Sequence, residues 1–437
     1  MIEPLKLPLR RFFCGIALCI AVTASAQTPT ALTIDLQSAL QRAHTWSPQF
    51  LAAALAATSA KEDRVQAKAA FFPTVNVLNG FLYTQGNGTD TGVFVANNGV
   101  HVYDEQLTVH ADVYSATKQA QYKVTLAAEA AAKARQDVAR RGLATTVIQN
   151  YYGVISANRH RINAVRALDE ARQFEDLSQK QERGGEVARA DVVKAQLQRR
   201  QREQQLNEAE VNVDKAKLAL AVLIFQDLMQ PYEVVDDLKA DAPAPAEAEG
   251  RQASFAANPD LQAAEASLRQ ATSGVAVARG DYFPLFSVDY FFGINSNVLS
   301  VTDPFGNRNI GSVVQATVTV PVWNWGSTRS RVRQAEIAKQ QAQNDLNFAR
   351  RQVESNLDGY LLEARAARAQ LSQLLDSRSL AEENLRLTTL RYTGGEATAL
   401  EIVDAQSTAS DARNGYDDGL GRYRLALANL EVLMGRY

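Results

Sequence analysis

Four histidines (His44, His101, His110, His160) and two cysteines (Cys14, Cys19) are the whole supply of imidazole and thiol in 437 residues. No His-Glu-x-x-His, Gly-x-Ser-x-Gly or phosphate-loop pattern accompanies them, so no reaction and no cofactor is expected. His110 and Asp112 are two apart on one strand pattern and share a face; a wet, solvated pair explains them better than a metal site. What remains is carboxylate chemistry near two glycine pairs. Glu175 and Asp176 precede Gly184-Gly185, and Asp376, Glu382 and Glu383 precede Gly394-Gly395. Repeated around an axis, such acids form rings that select cations at a constriction. An ordinary solvated helix face is the competing reading for each residue singly.

The elements that must position these groups occur twice. Ser47-Pro48-Gln49-Phe50 opens a helical run ending at Phe71-Phe72-Pro73, and Asn258-Pro259-Asp260-Leu261 opens one ending at Tyr282-Phe283-Pro284. Gly184-Gly185-Glu186 before Asp191-Val192-Val193 returns as Gly394-Gly395-Glu396 before Glu401-Ile402-Val403. Leu218-Ala219-Leu220-Ala221 returns as Leu425-Ala426-Leu427-Ala428. Three landmarks in one order mark a tandem repeat. The first repeat spans 27–226 and the second 251–437. Residues 227–250, with Pro231, Pro243 and Pro245, read as an extended linker.

Each repeat reads helix, strand, strand, very long helix, helix. The first helix is expected over about 35–69 and its counterpart over about 252–279. Proline ends each, because it lacks the N–H that a helix interior needs. The apolar period then drops to two. Strands are expected at about 73–85 and 104–114, then 284–294 and 312–322. Val75, Val77, Phe81 and Tyr83 share a face, as do Leu107, Val109, Ala111 and Val113. So do Phe286, Val288, Tyr290, Phe292 and Ile294, and again Val314, Ala316, Val318 and Val320. Segments of ~10 residues with one greasy and one wet face suit either a half-buried soluble sheet or a transmembrane barrel. Four strands cannot close, so a barrel demands that chains pool them: two chains give eight, three give twelve.

The long helices favour the barrel. They are expected over about 115–182 and 327–393, with the returning helices over about 187–226 and 397–435. At ~1.5 Å per residue the long ones span roughly 100 Å, the length of a coiled-coil shaft. The shorter helices, end to end, about match that length and give a wall of even height. Glycine suits the left-handed cap at each reversal, so Arg183, Gly184, Gly185 and Glu186, with Thr393, Gly394, Gly395 and Glu396, form the tips. Tyr103, Tyr114, Trp323 and Trp325 fall near strand ends, where an aromatic girdle would meet the bilayer interface; packing under the barrel explains the tryptophans equally well.

Composition sets the outer bounds. With 46 Lys+Arg and 48 Asp+Glu the net charge is −2, which gives no electrostatic reason to expect nucleic acid as a partner. Lys6, Arg10 and Arg11, the apolar run Phe12–Ala24 and Ala24-Ser25-Ala26 read as an export signal cleaved after residue 26. Both cysteines lie inside it, without a lipobox. Removing it leaves 43 basic and 47 acidic residues. An exported periplasmic coiled-coil adaptor or structural protein without a barrel remains the alternative.

In the order and spacing of these landmarks the chain resembles the TolC-like outer-membrane efflux proteins. The carriers are the tandem repeat, the Phe-Phe-Pro and Tyr-Phe-Pro junctions, Val320-Pro321-Val322-Trp323-Asn324-Trp325-Gly326, and Tyr392-Thr393-Gly394-Gly395 with Ile402-Val403-Asp404-Ala405-Gln406. The resemblance implies a mainly α fold with a β-barrel contribution: a homotrimer whose twelve strands close in the outer membrane above a periplasmic helical tunnel. It also implies that the chain is the exit duct of a tripartite efflux or type I secretion system. The partners would be outer-membrane lipids, a periplasmic adaptor (membrane fusion) protein and an inner-membrane pump of RND, ABC or MFS type. The adaptor would meet the glycine tips, and the acids before them would line the gate. Trp323-Asn324-Trp325 departs from the family's usual aromatic-Asp-Gly turn, and the gate acids of the family do not align residue by residue.

Overall fold

The computed structural model describes residues 32–86, 88, 100–239, 255 and 258–435. The expected export signal, most of the Gly86–Val100 loop and residues 240–250 of the linker lie outside the described residues. In chain order the first repeat holds β1 (Leu32–Ile34), α1 (Leu36–Trp46), α2 (Pro48–Ala69), β2 (Thr74–Tyr83), β3 (His101–Tyr114), α3 (Ala116–Gly184) and α4 (Arg189–Ile224). After β4 (Tyr232–Val234) the second repeat holds α5 (Pro259–Gly280), β5 (Leu285–Ser296), β6 (Ile310–Thr319), α6 (Ser327–Thr393) and α7 (Ala399–Leu433).

One expected helix is two. Pro48 has no N–H and disfavours helix in the residue before it, so Ser47 is extended (φ −71°, ψ 116°) and caps α2 by accepting from the Phe50 N–H. Asn258 before Pro259 does the same for α5, its Oδ1 accepting from the Asp260 N–H at 2.9 Å. The linker also contains structure: β4 pairs in parallel with β1, Leu32 opposite Tyr232 and Ile34 opposite Val234.

The helices pack around α3: it contacts α2 and α4 of its own repeat and α5 and α7 of the other, and α6 packs on α5 and α7. Close approach is bought by small residues. A Cβ on Gly280, at the end of α5, would sit 2.6 Å from Thr117 Oγ1 and 2.9 Å from the Thr117 backbone. The main core lies where β1, α1 and β4 cover α3 and α4: Ile34, Ile148, Ile155, Leu220 and Ile224 are fully buried. Each such side chain contributes about 1.5–3 kcal/mol. Tyr151, also fully buried, donates its hydroxyl to the Val235 carbonyl at 2.8 Å and ties the linker to α3.

The larger sheet has order β2-β3-β5-β6, antiparallel throughout, with β2 and β6 as open edges. Its register carries the apolar parity across all four strands: Val75–Val109–Tyr290–Val314 and Val77–Leu107–Phe292 are directly opposite one another. Two details differ from the alternation in the sequence. A bulge between Asp112 and Tyr114 displaces Val113, so that Tyr114, opposite Phe286, resumes the apolar face. And β6 stops at Thr319, before Val320 and Pro321, because proline cannot donate to the ladder.

Candidate functional site

Both tips are built by one motif. At the end of α3 the Glu186 N–H donates to the Gln181 carbonyl at 2.9 Å and the Gly185 N–H to Glu182 at 3.0 Å, with Gly185 at φ +75°. At the end of α6 Glu396 donates to Arg391 at 2.8 Å and Gly395, also at φ +75°, to Tyr392 at 3.1 Å. These are paired Schellman turns. They leave Arg183, Gly184, Gly185, Glu186, Thr393, Gly394, Gly395 and Glu396 all exposed. Beneath them the two repeats lock together: Tyr392, buried, meets Phe174 edge-on at 5.4 Å, shares a 3.0 Å hydrogen bond with Ser178 Oγ, and accepts Gln181 Nε2 on its carbonyl at 3.1 Å. Leu390 and Leu400 beside the second turn stay exposed.

The five candidate gate acids fall into three environments. Glu175 is tied to Arg199 at 2.5 Å and takes Gln179 at 3.0 Å. Glu382 is 2.9 Å from Arg413, whose side chain is only 3% exposed and which also holds Glu170 at 3.0 Å; Arg378 and Arg166 complete the cluster. Burial opposes ionisation of Glu382, but Arg413, Arg378 and Arg166 outweigh it and hold its pKa below the ordinary carboxylate value. Asp176 and Glu383 are exposed and pair along their own helices, with Lys180 at 2.6 Å and Arg386 at 2.8 Å. Asp376 is exposed and, among the described residues, has no basic side chain within 4.0 Å. Of the five, then, Asp376, Asp176 and Glu383 face solvent, while Glu175 and Glu382 join helices within one protomer.

Arg413 itself was not singled out from the sequence. The signal was present: Ile402, Ala405, Ala409, Arg413 and Leu420 fall on one helical stripe of α7, and the structure buries all of them. A cation on an otherwise apolar stripe marks a buried network.

The sheet separates two surfaces. Its apolar face exposes Val75, Val77, Phe81, Val314 and Val318. Glu105, opposite Asn79 and Ile294, is the acid on this face, toward the loop end where a charge costs only about 0–1 kcal/mol at a bilayer interface. The other face carries Thr74, His110, Asp289 and Gln315 in one row. His110 bridges Asp289 at 2.6 Å and Asp112 at 3.3 Å, and Lys118 at the start of α3 binds Asp112 at 2.6 Å and the Ala70 carbonyl at 3.0 Å. The His110–Asp112 pairing expected from the sequence is thus one side of a four-residue polar cluster. Among the described residues no group of three or more His, Cys, Asp and Glu side chains is placed to hold a metal ion.

The aromatic residues stand at two levels. Tyr103 packs on Phe81 at 5.2 Å toward the loops. Tyr114, Trp323 and Trp325 lie at the helix end of the sheet, the tryptophans edge-on at 5.8 Å and 76% and 89% exposed. Eleven residues of β3 separate the levels, a rise of roughly 37 Å along the strand at ~3.4 Å per residue. Among the described residues no helix is long and apolar enough to cross a membrane.

Comparison with known proteins matches the repeats. The family described as "Outer membrane efflux protein" matches residues 37–224 and 251–436, leaving the linker between them. The cobalt-zinc-cadmium resistance protein CzcC of Cupriavidus metallidurans is 25% identical over 66% of this chain and 67% of its own. The pyoverdine export outer membrane protein OpmQ of Pseudomonas aeruginosa is 24% identical over 92% of this chain and 84% of its own. Among solved structures, the Campylobacter jejuni CmeC outer membrane channel shares the fold with a TM-score of 0.79 at 16% identity, over 92% of this chain and 85% of that one.

Proposed function

The chain belongs to the outer membrane efflux protein family, and from that premise we propose that three copies form the exit duct of a tripartite efflux or type I secretion assembly. The observation that carries the trimer is the open sheet. Its apolar face suits lipid, yet β2 and β6 leave a row of unpaired backbone groups at each edge. Such edges are not tolerated in hydrocarbon. Because β2 and β6 run in opposite directions, β6 of one copy can pair with β2 of the next in the same antiparallel sense. Two copies would give eight strands, an interior just filled by side chains; three give twelve and leave a passage. The helical layer continues below as the wall of a periplasmic tunnel.

In this reading the two Schellman turns point toward the inner membrane. Their exposed glycines, with Leu390 and Leu400 beside them, receive a periplasmic adaptor, which joins the duct to an inner-membrane pump. Asp376, Asp176 and Glu383 supply the acidic rings near the closed end. The family is one of transport proteins, not enzymes; the pump fixes the cargo. Tyr103 on one side and Tyr114, Trp323 and Trp325 on the other meet the two lipid interfaces.

The test is extraction and mass. The mature protein should leave isolated outer membranes only with detergent, run at three chains per particle, and conduct ions in planar bilayers. A buffer-soluble monomer or dimer would overturn the duct.

A further inference from the structure

On α3, Gly153, Ala157, His160 and Ala164 fall on the side opposite Tyr151 and Ile155 at 3.6 residues per turn. The Tyr151 side is covered by β1, α1 and β4. The other side is a recess of about 450 Å³ between α3, α4 and α7, with a floor of small residues. That size suits a small organic molecule.

Its wall holds Arg202, which is 6% exposed. No carboxylate lies within ion-pair distance of it among the described residues. Nη1 donates to Gln205 Oε1 at 2.8 Å, and the Gln198 side-chain amide, turned so that its oxygen faces the guanidinium, accepts from Nε and Nη2 at 3.2 Å each. A guanidinium has five N–H donors, so two are left without a protein acceptor. Burial disfavours the charge of Arg202 more than Asp411 and Glu170, both beyond ion-pair distance, favour it, and a fork with two further donors is the geometry that takes a carboxylate. Glu208 and Asp411, both exposed, line the same recess. They disfavour a bare anion and favour a molecule whose other end is cationic.

We infer that the recess is a binding site for amphoteric carboxylates, amino-acid-like molecules whose carboxylate sits on Arg202 and whose ammonium faces Glu208 and Asp411. Its position rests on the duct reading. Three copies of the β1–α1–β4 unit inside a closed wall would obstruct the tunnel, so that side turns outward and the recess opens into the lumen. The site is then a stopping point for cargo or a ligand along the inner wall, far from the tips.

The test uses a matched pair of fluorophores on detergent-purified protein of measured mass and conductance. Nε-dansyl-lysine carries the amino-acid head; dansylcadaverine is the same molecule without the carboxylate. Saturable binding of the first and not of the second is expected. Arg202→Met should weaken it at least tenfold, and Arg200→Met, an exposed cation on the same helix, should leave it unchanged. If Arg202→Met fails to assemble, the methyl ester of dansyl-lysine on wild-type protein asks the same question and should not bind. Equal binding of the probes, or binding indifferent to Arg202 or to esterification, overturns the site. Lumenal placement is read separately: no cysteine follows residue 26, so a cationic thiosulfonate added to Asn212→Cys channels should lower conductance. Conducting trimers that do not bind dansyl-lysine would sink this site and leave the duct standing; failure to trimerise would sink the duct itself.

Discussion

Arg413 shows what single side chains do in this wall. It sits on α7, and its acids Glu170 and Glu382 come from α3 and α6. One guanidinium therefore holds three helices from both repeats. Removing it leaves Glu170 and Glu382, half-buried, with only the longer contacts to Arg166 and Arg378. A fully buried pair broken this way costs ~3–5 kcal/mol; because Glu170 and Glu382 keep 19% and 31% side-chain exposure, about 2 kcal/mol is expected for Arg413→Met. Thermal unfolding followed by circular dichroism checks it, with Glu383→Gln as the exposed comparison near zero. A second residue-scale prediction concerns pH. The ion pair with Asp418 raises the pKa of His160, and its own partner lowers that of Asp418. The raised histidine contributes fully below about pH 6.5 and loses its contribution as pH rises through the folded value. The lowered aspartate contributes above about pH 4 and loses its contribution as pH falls through its folded value. Wild type should therefore lose stability relative to His160→Gln as pH rises from about 6.5 through the raised folded value, by less than about 1 kcal/mol for so exposed a pair. A parallel profile for the two proteins would refute the assignment. The stripe of α7 marks Arg413 as buried, but neither network's partners were legible in the sequence: Glu170 and Asp418 lie more than two hundred residues from Arg413 and His160, and Glu382 lies on another helix.

At the scale of elements, the sequence was legible where one period dominated. The strand parity, read from alternation, is the parity of the register; the long helices, read from length without proline, end within two residues of their expected limits. The glycine tips were legible because only a left-handed residue ends a helix that way. What escaped lacked periodicity. Three residues each in β1 and β4 are too short for a pattern, and their pairing spans 200 positions. The α1–α2 break was visible as Ser47-Pro48 but hidden inside a continuous apolar repeat. The close approach of α5 and α3 was also silent, since Gly280 looks like any helix-terminal glycine. Its consequence is testable. A methyl group there meets Thr117 backbone atoms at 2.9 Å, so one helix end must move, at about 1–3 kcal/mol for Gly280→Ala. Gly185→Ala strains only its own φ, about 1–2 kcal/mol, and does so at an exposed turn. Hydrogen exchange should separate them: the first substitution loosening the start of α3 below the barrel, the second confined to the tip. The reverse pattern would mean that the junction tolerates displacement and that Gly280 is dispensable.

For the whole molecule the decisive property is that the helices are self-sufficient and the sheet is not. The helical layer buries its core within one chain, while the sheet exposes an apolar face and two edges that a single chain cannot satisfy. In the proposed duct, folding and assembly are coupled, with lipid completing one surface and neighbouring copies the other. The two faces of β6 then predict opposite behaviour at adjacent positions. Val314 lies on the apolar face opposite Tyr290, whereas Gln315 lies on the polar face opposite Asp289. A lysine at 314 must be accommodated in hydrocarbon, at about 2–4 kcal/mol near the midplane. A lysine at 315 stays in water, beside Asp289 and His110. Val314→Lys should therefore reduce the yield of detergent-extractable trimers and lower their melting temperature. Gln315→Lys should assemble normally but, as a ring of three added cations, reduce cation selectivity in bilayer recordings. A soluble half-buried sheet would distinguish the positions by packing alone and would show no change in ion selectivity from either. The reversal potential of Gln315→Lys channels under a salt gradient is the sharper readout, because a shift requires position 315 to line a continuous aqueous path.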